Sequence, residues 1–367
     1  MKINRLQVRN FRNLAKIEYA PKSGLNIFIG DNAQGKTSLL ESIFVLATGT
    51  SFRTAADANM VKYDAEGYLI NSFYQCGERE FEAQLQYRLN GSKVMLINKK
   101  KCAHNYKDRL RVVLFTPDDL FLIKGSPGKR RAFLDFILKQ LSTEYQYDLD
   151  NYASILKKRN LLLKQENTTG KAFHITNEVF IEKAARLIIQ RINFVNLLDD
   201  ISREVYQEIN QGSQELKSRY ALSFAVDSDK INMDVLQTAL IKKLEEKSRE
   251  EINRRKTLVG PHLDDINFYQ DGRLARTFAS QGQQRNMAIS LKLAEVYAFK
   301  KIKKAYPVFL LDEVLAELDE GKRRLLLKHL QSAAFQTFLT AVKIDPRDKK
   351  PGPVALVKDG ALLWEEL

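Results

Sequence analysis

Gly30-Asp31-Asn32-Ala33-Gln34-Gly35-Lys36-Thr37 has the spacing of a phosphate-cradling loop, G-x-x-x-x-G-K-[ST]. In such a loop the backbone N–H groups point at phosphate oxygens, and the helix that follows adds its positive end. Lys36 is then expected on the β- and γ-phosphates, with the Thr37 hydroxyl as a ligand of Mg²⁺. Far downstream, Asp312 closes the apolar run Pro307-Val308-Phe309-Leu310-Leu311, and Glu313 follows it. A carboxylate at the end of a buried strand can hold Mg²⁺ through water, and its neighbour can orient an attacking water. Alone, an apolar run ending in Asp-Glu is equally an ordinary strand end. Beside the loop at 30–37 it reads as the other half of a nucleoside triphosphate site. Lys36, Asp312 and Glu313 are the catalytic candidates, and ATP with Mg²⁺ the expected cofactors.

A third segment, Ser280-Gln281-Gly282-Gln283-Gln284-Arg285, opens a helix. The Ser280 hydroxyl, the Gly282 backbone and the helix dipole can converge on an anion. Spacing alone fits a plain N-cap equally well.

The elements that must position these residues are legible. Leu25 to Ile29 is an apolar strand running into Gly30, and Lys36 to Leu46 carries Leu39, Leu40, Ile43 and Phe44 at helical spacing. Strand, glycine loop and helix are the context the phosphate motif needs. Ile3 to Phe11 and Leu14 to Tyr19 read as strands, and residues 67–98 alternate as antiparallel strands with Asn90-Gly91 as a hairpin turn. Helical periodicity dominates from Lys129 to about Lys256, broken at Asn167 to Gly170 and Gln211-Gly212-Ser213. No piece sustains a heptad seam, which favours a compact helical lobe over a coiled-coil arm. Strands return near Asp265 to Tyr269, Val308 to Leu311, Thr337 to Thr340 and Val354 to Val357. The expected architecture is α/β: a P-loop core with appended antiparallel strands and a helical second domain. Its parts are 1–125 and 257–367 for the nucleotide domain and 126–256 for the helical one.

The 367 residues carry 59 Lys and Arg against 45 Asp and Glu, a formal charge of +14. That balance calls for a polyanionic partner. Two cysteines, Cys76 and Cys102, are too few for a disulfide scaffold. No apolar run reaches the roughly 20 residues that span a bilayer. The first residues lack an apolar signal core, so the cytoplasm is the expected compartment. Residues 99–131 hold ten Lys or Arg against Asp108, Asp118 and Asp119. Lys99, Lys100 and Lys101 fit either a DNA contact or a solvated hairpin tip, and Arg130 and Arg131 either DNA contact or pairing with acids such as Asp135.

Ser280 to Arg285, with Lys292-Leu293-Ala294-Glu295 after it, resembles the signature helix of the RecF family, bacterial recombination mediators related to SMC and ABC ATPases. Asn10 to Asn13, Gly30 to Thr37, Ser51 to Arg53, Phe115 to Leu120, Gly125 to Asp135, Gly260 to His262 and Leu311 to Asp319 match in order. The resemblance implies an ABC-type head and a head-to-tail homodimer with ATP between the subunits. Lys36, Thr37, Asp312 and Glu313 would act within one subunit. Ser280 and Gly282 would reach the γ-phosphate on the other, with Asp319 at the same seam. It further implies a clamp on duplex DNA near single-strand gaps, in repair, replication and the SOS response. RecO and RecR would be partners in loading RecA, and slow DNA-stimulated hydrolysis would reset the clamp. Two other classes are an SMC-type DNA-bridging head, which needs a long coiled coil, and a transporter's nucleotide-binding subunit, which needs a membrane partner. The chain departs from the family pattern at Glu313, where Asp is usual, and at Leu263, where Arg is usual. No histidine follows Phe338-Leu339-Thr340, which leaves the γ-phosphate sensor unassigned.

Overall fold

A computed structural model describes residues 1–102, 108–210, 212, 214–228, 230–343 and 352–364, with only the backbone of Trp364. Lys107 of the basic stretch, and Gln211 and Ser213 of the proposed break, lie outside the described residues.

Two compact units result: Met1–Leu120 with Lys292–Leu367, and Phe121–Leu291. The second unit reaches past the expected end at 256. The cause is a strand inside the helical stretch, described below, which pairs with the strand near 265.

In the first unit the chain runs β1 (Lys2–Phe11), β2 (Leu14–Tyr19), β3 (Leu25–Ile29), α1 (Lys36–Thr48), β4 (Gly67–Cys76), β5 (Arg79–Arg88), β6 (Lys93–Ile97), β7 (Lys100–Lys101) and β8 (Val112–Phe115). In the second it forms α2 (Pro127–Leu141), α3 (Thr143–Lys164), α4 (Lys171–Asn210), β9 (Leu216–Ala221), α5 (Met233–Arg254), β10 (Asp265–Gln270), β11 (Arg273–Leu274) and the short α6 (Ala275–Phe278). The unit boundary falls within α7 (Gln281–Lys303); β12 (Val308–Asp312), α8 (Glu320–Ser332), β13 (Thr337–Ala341), β14 (Val354–Lys358) and β15 (Ala361–Trp364) complete the first unit.

The core sheet has the order β15-β14-β3-β13-β12-β8. β14, β3, β13, β12 and β8 run parallel, and β15 pairs antiparallel with β14. β12, β13 and β8 are buried at every position, as expected of parallel strands covered on both faces. The second sheet, β2-β1-β4-β5-β6-β7, is antiparallel and alternates buried with exposed residues, which is the pattern of a sheet with one wet face. Helix α1 is buried from Lys36 through Ala47 except at Thr37 and stops at Gly49, whose left-handed φ of 76° lets its N–H reach Val45 O.

In the second unit, Ser126 caps α2, Ser142 caps α3 and Asn232 caps α5 by accepting a backbone N–H. Helix α4 is 40 residues long. Its sides pack on α3, α5 and β9, so its length is spent in lateral packing and not in an arm. Strand β9, which helical periodicity hid, pairs antiparallel with β10 from Leu216↔Gln270 to Ala221↔Asp265. Among the described residues no helix is long and apolar enough to cross a membrane.

Candidate nucleotide-binding site

The loop at 30–37 leaves the end of β3 and enters α1, and its backbone needs left-handed turns: φ is 148° at Gly30, 64° at Ala33 and 113° at Gly35. A Cβ on Gly30 would stand 2.4 Å from Val357 O, so glycine is required there twice over. Two hairpin turns brace the loop. From the β1–β2 turn, Asn13 Nδ2 donates to Ala33 O at 3.1 Å. From the β14–β15 turn, Gly360 N donates to Gln34 O at 3.0 Å and Asp359 N to Gln34 Oε1 at 2.6 Å.

Lys36 is 2% exposed. Its ammonium donates to Gly30 O at 2.8 Å and Asp31 O at 2.9 Å and pairs with Glu313 Oε1 at 3.0 Å. Thr37 Oγ1 donates to Asp312 Oδ1 at 2.9 Å across the sheet. Sequence reasoning named Lys36, Thr37, Asp312 and Glu313 from separate segments, and these four side chains lie together in the structure. It missed Thr340 at the end of β13, whose hydroxyl donates to the same Asp312 oxygen at 2.9 Å and accepts from Glu313 N at 2.9 Å. The sequence marked Thr340 only as the end of a strand; its pairing with Asp312 in the parallel register exists only in the folded sheet. Burial holds the Asp312 carboxyl above its ordinary pKa, while the two threonine donors pull it down.

A hydroxyl beside a carboxylate at a strand end is a hard-oxygen pair that fits Mg²⁺. Among the described residues no cluster of three or more His, Cys, Asp or Glu could hold a metal. Mg²⁺ here would draw its remaining ligands from phosphate and water. The pocket over the loop has a volume of about 670 Å³ and is bounded by residues 32–33, 35–38, Arg12, Asn13, Arg53, Asn59, residues 61–63 and Glu313. Three of these cations, Lys36, Arg12 and Arg53, suit a polyanionic ligand.

The other predicted residues belong to other elements. Ser280 forms a capping box: its N–H donates to Gln283 Oε1 at 2.8 Å, and Gln283 N donates to Ser280 Oγ at 3.3 Å. Gly282 is exposed, and a Cβ there would meet nothing within 4 Å. Asp319 caps α8, accepting from Lys322 N at 2.9 Å. Lys99, Lys100 and Lys101 are exposed at the β6–β7 tip.

Arg130 is not a surface cation. It is 1% exposed, donates to both Asp265 oxygens at 2.7 and 2.8 Å, and donates to Gly125 O at 2.5 Å. A guanidinium so enclosed has no N–H for a DNA phosphate, and its acid is Asp265 and not Asp135. Asp135 instead takes Arg191 at 2.8 Å. Arg131 is half-buried and donates to Asp264 O at 2.7 Å. Arg109 and Arg111 are buried as well, so the basic surplus of 99–131 is not one surface.

His262 is a core residue of the second unit. Its Nδ1 lies 2.6 Å from the Tyr152 hydroxyl and its Nε2 3.4 Å from Thr257 O. Burial lowers its pKa to about 4. The unfolded imidazole titrates near ~6.5. Between those values the unfolded chain binds the extra proton, so stability present above about pH 6.5 is lost as pH falls toward 4. Thermal unfolding between pH 7.5 and 5 should show part of this loss, at most about 2 kcal/mol, and His262→Gln should flatten the pH slope. An unchanged slope in the variant would assign the loss to other groups.

Comparisons with known proteins concern the chain as a whole. Residues 2–349 match the family model of the RecF/RecN/SMC N-terminal domain. The chain is 37% identical over 351 residues to the DNA replication and repair protein RecF of Pediococcus pentosaceus, covering 94% of this chain and 93% of that one. It is 36% identical to the Bacillus cereus protein of the same name, with the same coverage. Among solved structures, the recombination mediator protein RecF-ATPrS in the RecFOR pathway superposes with a TM-score of 0.88 at 30% identity, over 98% of this chain and 97% of that one. An SMC head bound to the C-terminal winged-helix domain of ScpA gives 0.57 at 14% identity, a likeness of fold.

Proposed function

This chain belongs to the RecF family, and we propose that it is an ATP-dependent DNA-binding protein of repair and replication whose two copies close around the nucleotide. The observation that carries the reading is the meeting of Thr37 and Asp312 at 2.9 Å beside the buried Lys36 ammonium. Phosphate, divalent cation and attacking water each have a side chain in place. The protein's part in phosphoryl transfer is then positioning and charge stabilisation. Lys36 is held by Gly30 O, Asp31 O and Glu313. A triphosphate competing for Lys36 releases the Glu313 carboxylate to orient water for in-line attack. Thr340 fixes both Asp312 and the Glu313 backbone, so it would position the two acidic residues from behind. Thr37 and Asp312 would hold Mg²⁺, which would neutralise charge on the β- and γ-phosphates. ADP and phosphate are the products, and slow turnover resets a switch.

The in-trans half of the site is assigned to Ser280 and Gly282. Gly282 is the second residue of α7, and glycine is less favourable than alanine in a helix by up to about 1 kcal/mol. Nothing among the described residues requires it, as a Cβ at this position would meet none of their atoms within 4 Å outside the helix's own backbone. Close approach of a second copy's nucleotide supplies the reason. Asp319 belongs to the same seam in this reading, and Lys99 to Lys101 remain the best-exposed DNA contacts among those named. RecO, RecR, RecA loading and the SOS response come to this chain through the family. The domain assignment follows the same logic: an ATPase domain in two sequence parts and a helical lid.

Ser280→Arg is the test. ATP binding by the monomer should be unchanged, while light scattering with ATP should find no dimer. DNA binding over a salt series should lose its ATP dependence, since neutralised phosphates set the salt slope. Normal dimerisation by this variant would refute the in-trans assignment.

A further inference from the structure

The second acidic residue near the pocket is not on its surface. Glu41 lies one turn beyond Thr37 in α1 and is fully buried. Its carboxylate receives four donors. Oε1 takes Arg12 Nη2 at 2.6 Å and Ser51 Oγ at 2.5 Å. Oε2 takes Arg12 Nε at 3.0 Å and Arg53 Nη1 at 3.2 Å. All of the roughly four lone-pair sites of a carboxylate are thereby filled.

Both arginines reach the nucleotide pocket from this one anchor. Arg12 is spent on its mount: its third contact is Nη1 to Asn59 O at 2.6 Å. Its backbone is held left-handed at φ 55°, a conformation that costs energy outside glycine and asparagine. Arg53 is different. Only Nη1 goes to Glu41, its side chain is 45% exposed, and it stands on the same wall as Lys36, Thr37 and Glu313. The segment bearing it is pinned on both sides. Ser51 Oγ accepts from Arg53 N at 2.9 Å and Thr54 N at 3.1 Å, and Phe52 packs edge-to-face on Phe44 of α1 at 5.3 Å. Two cations share one anion, which leaves a net positive wall facing the pocket.

We propose that Glu41 is a positioning residue for nucleotide binding, a buried mount that aims Arg53 at the phosphates. The inference rests on the ATP reading of the pocket. It goes beyond that reading by giving α1 a second role. Lys36 and Thr37 would contact the ligand directly, and Glu41, a turn later, sets the Arg53 side chain that lines the same pocket. An amide at position 41 would present N–H groups to guanidinium N–H groups, and the fork to Arg12 and the tie to Arg53 could not both persist.

The experiment is a double-mutant cycle read by calorimetric titration of ATP and of inorganic tripolyphosphate. Glu41→Gln should weaken both ligands about tenfold, which is about 1.4 kcal/mol. In an Arg53→Gln background the same change at 41 should have no further effect beyond about twofold, because residues in one network are not additive. Equal loss for the two ligands marks a phosphate contact and not a base contact. A merely structural Glu41 would give the same loss with or without Arg53, and that result overturns the proposal. Should Glu41→Gln fail to fold, Arg53→Gln alone decides, since position 53 is exposed. It should lose about tenfold, with Arg53→Lys between the two, and tight binding by both would overturn the proposal. If the unaltered chain binds neither ligand, the ATP reading falls and this inference with it. Binding by the unaltered chain with additive variants sinks the inference alone.

Discussion

Lys36→Met should reduce ATP affinity by about a hundredfold or more, because the side chain is the only fully buried ammonium in the pocket wall among the described residues. Two charge-assisted hydrogen bonds to phosphate are worth roughly 1.5–3 kcal/mol each, and 1.4 kcal/mol is about tenfold. The methionine keeps the length and apolar stem, so the change removes donors without opening a large cavity. Stability should respond less than binding. The variant gives up bonds to Gly30 O and Asp31 O, but it also frees Glu313 from its partner at the pocket mouth, where 37% exposure lets water solvate the carboxylate. Loss of ATP-dependent dimerisation should follow from loss of the ligand. Calorimetry and light scattering on the same sample check both, and near-normal ATP affinity would displace the loop from the centre of the site.

Arg130→Ala should destabilise the second unit by about 3–5 kcal/mol, the usual cost of stranding one half of a buried ion pair. It leaves Asp265 without its fork and exposes the carbonyls of Leu122, Ile123 and Gly125 to an empty space. For a unit of this size each kcal/mol moves the midpoint by about 2–4 °C, so a fall on the order of 10 °C is expected. The salt slope of DNA binding should be unchanged at temperatures where the variant is folded. Intact thermal stability with a shallower salt slope would return Arg130 to the DNA surface.

The contrast between those two residues marks what could be read beforehand. Lys36 sits in a contiguous motif whose spacing is dictated by the ligand, so eight residues carry both the local geometry and the chemistry. The strand before it and the apolar face of α1 were legible for the same reason: they are local. Arg130 belongs to a different class. Its partner is 135 positions away in β10, and charge spacing alone could not tell interior from surface. The same holds for β9, whose Leu216 and Ser218 face inward only because β10 lies alongside. Glu41, Thr340 and Asn13 fall between. Each lies beside a recognised motif, but its role depends on a side-chain contact that only the folded sheet creates.

The brace on Gln34 carries a consequence for biosynthesis. Asp359 and Gln34 are 325 positions apart, and β14 lies against β3 in the core sheet. During vectorial synthesis the phosphate loop leaves the ribosome well before its neighbour strand and the turn that holds it, which follow 325 positions later. A nascent chain therefore carries the loop's full motif long before it can close on a nucleotide. Contacts of such separation form late and slowly. The brace on the phosphate loop is thus missing from a nascent chain until the β14–β15 hairpin has been made.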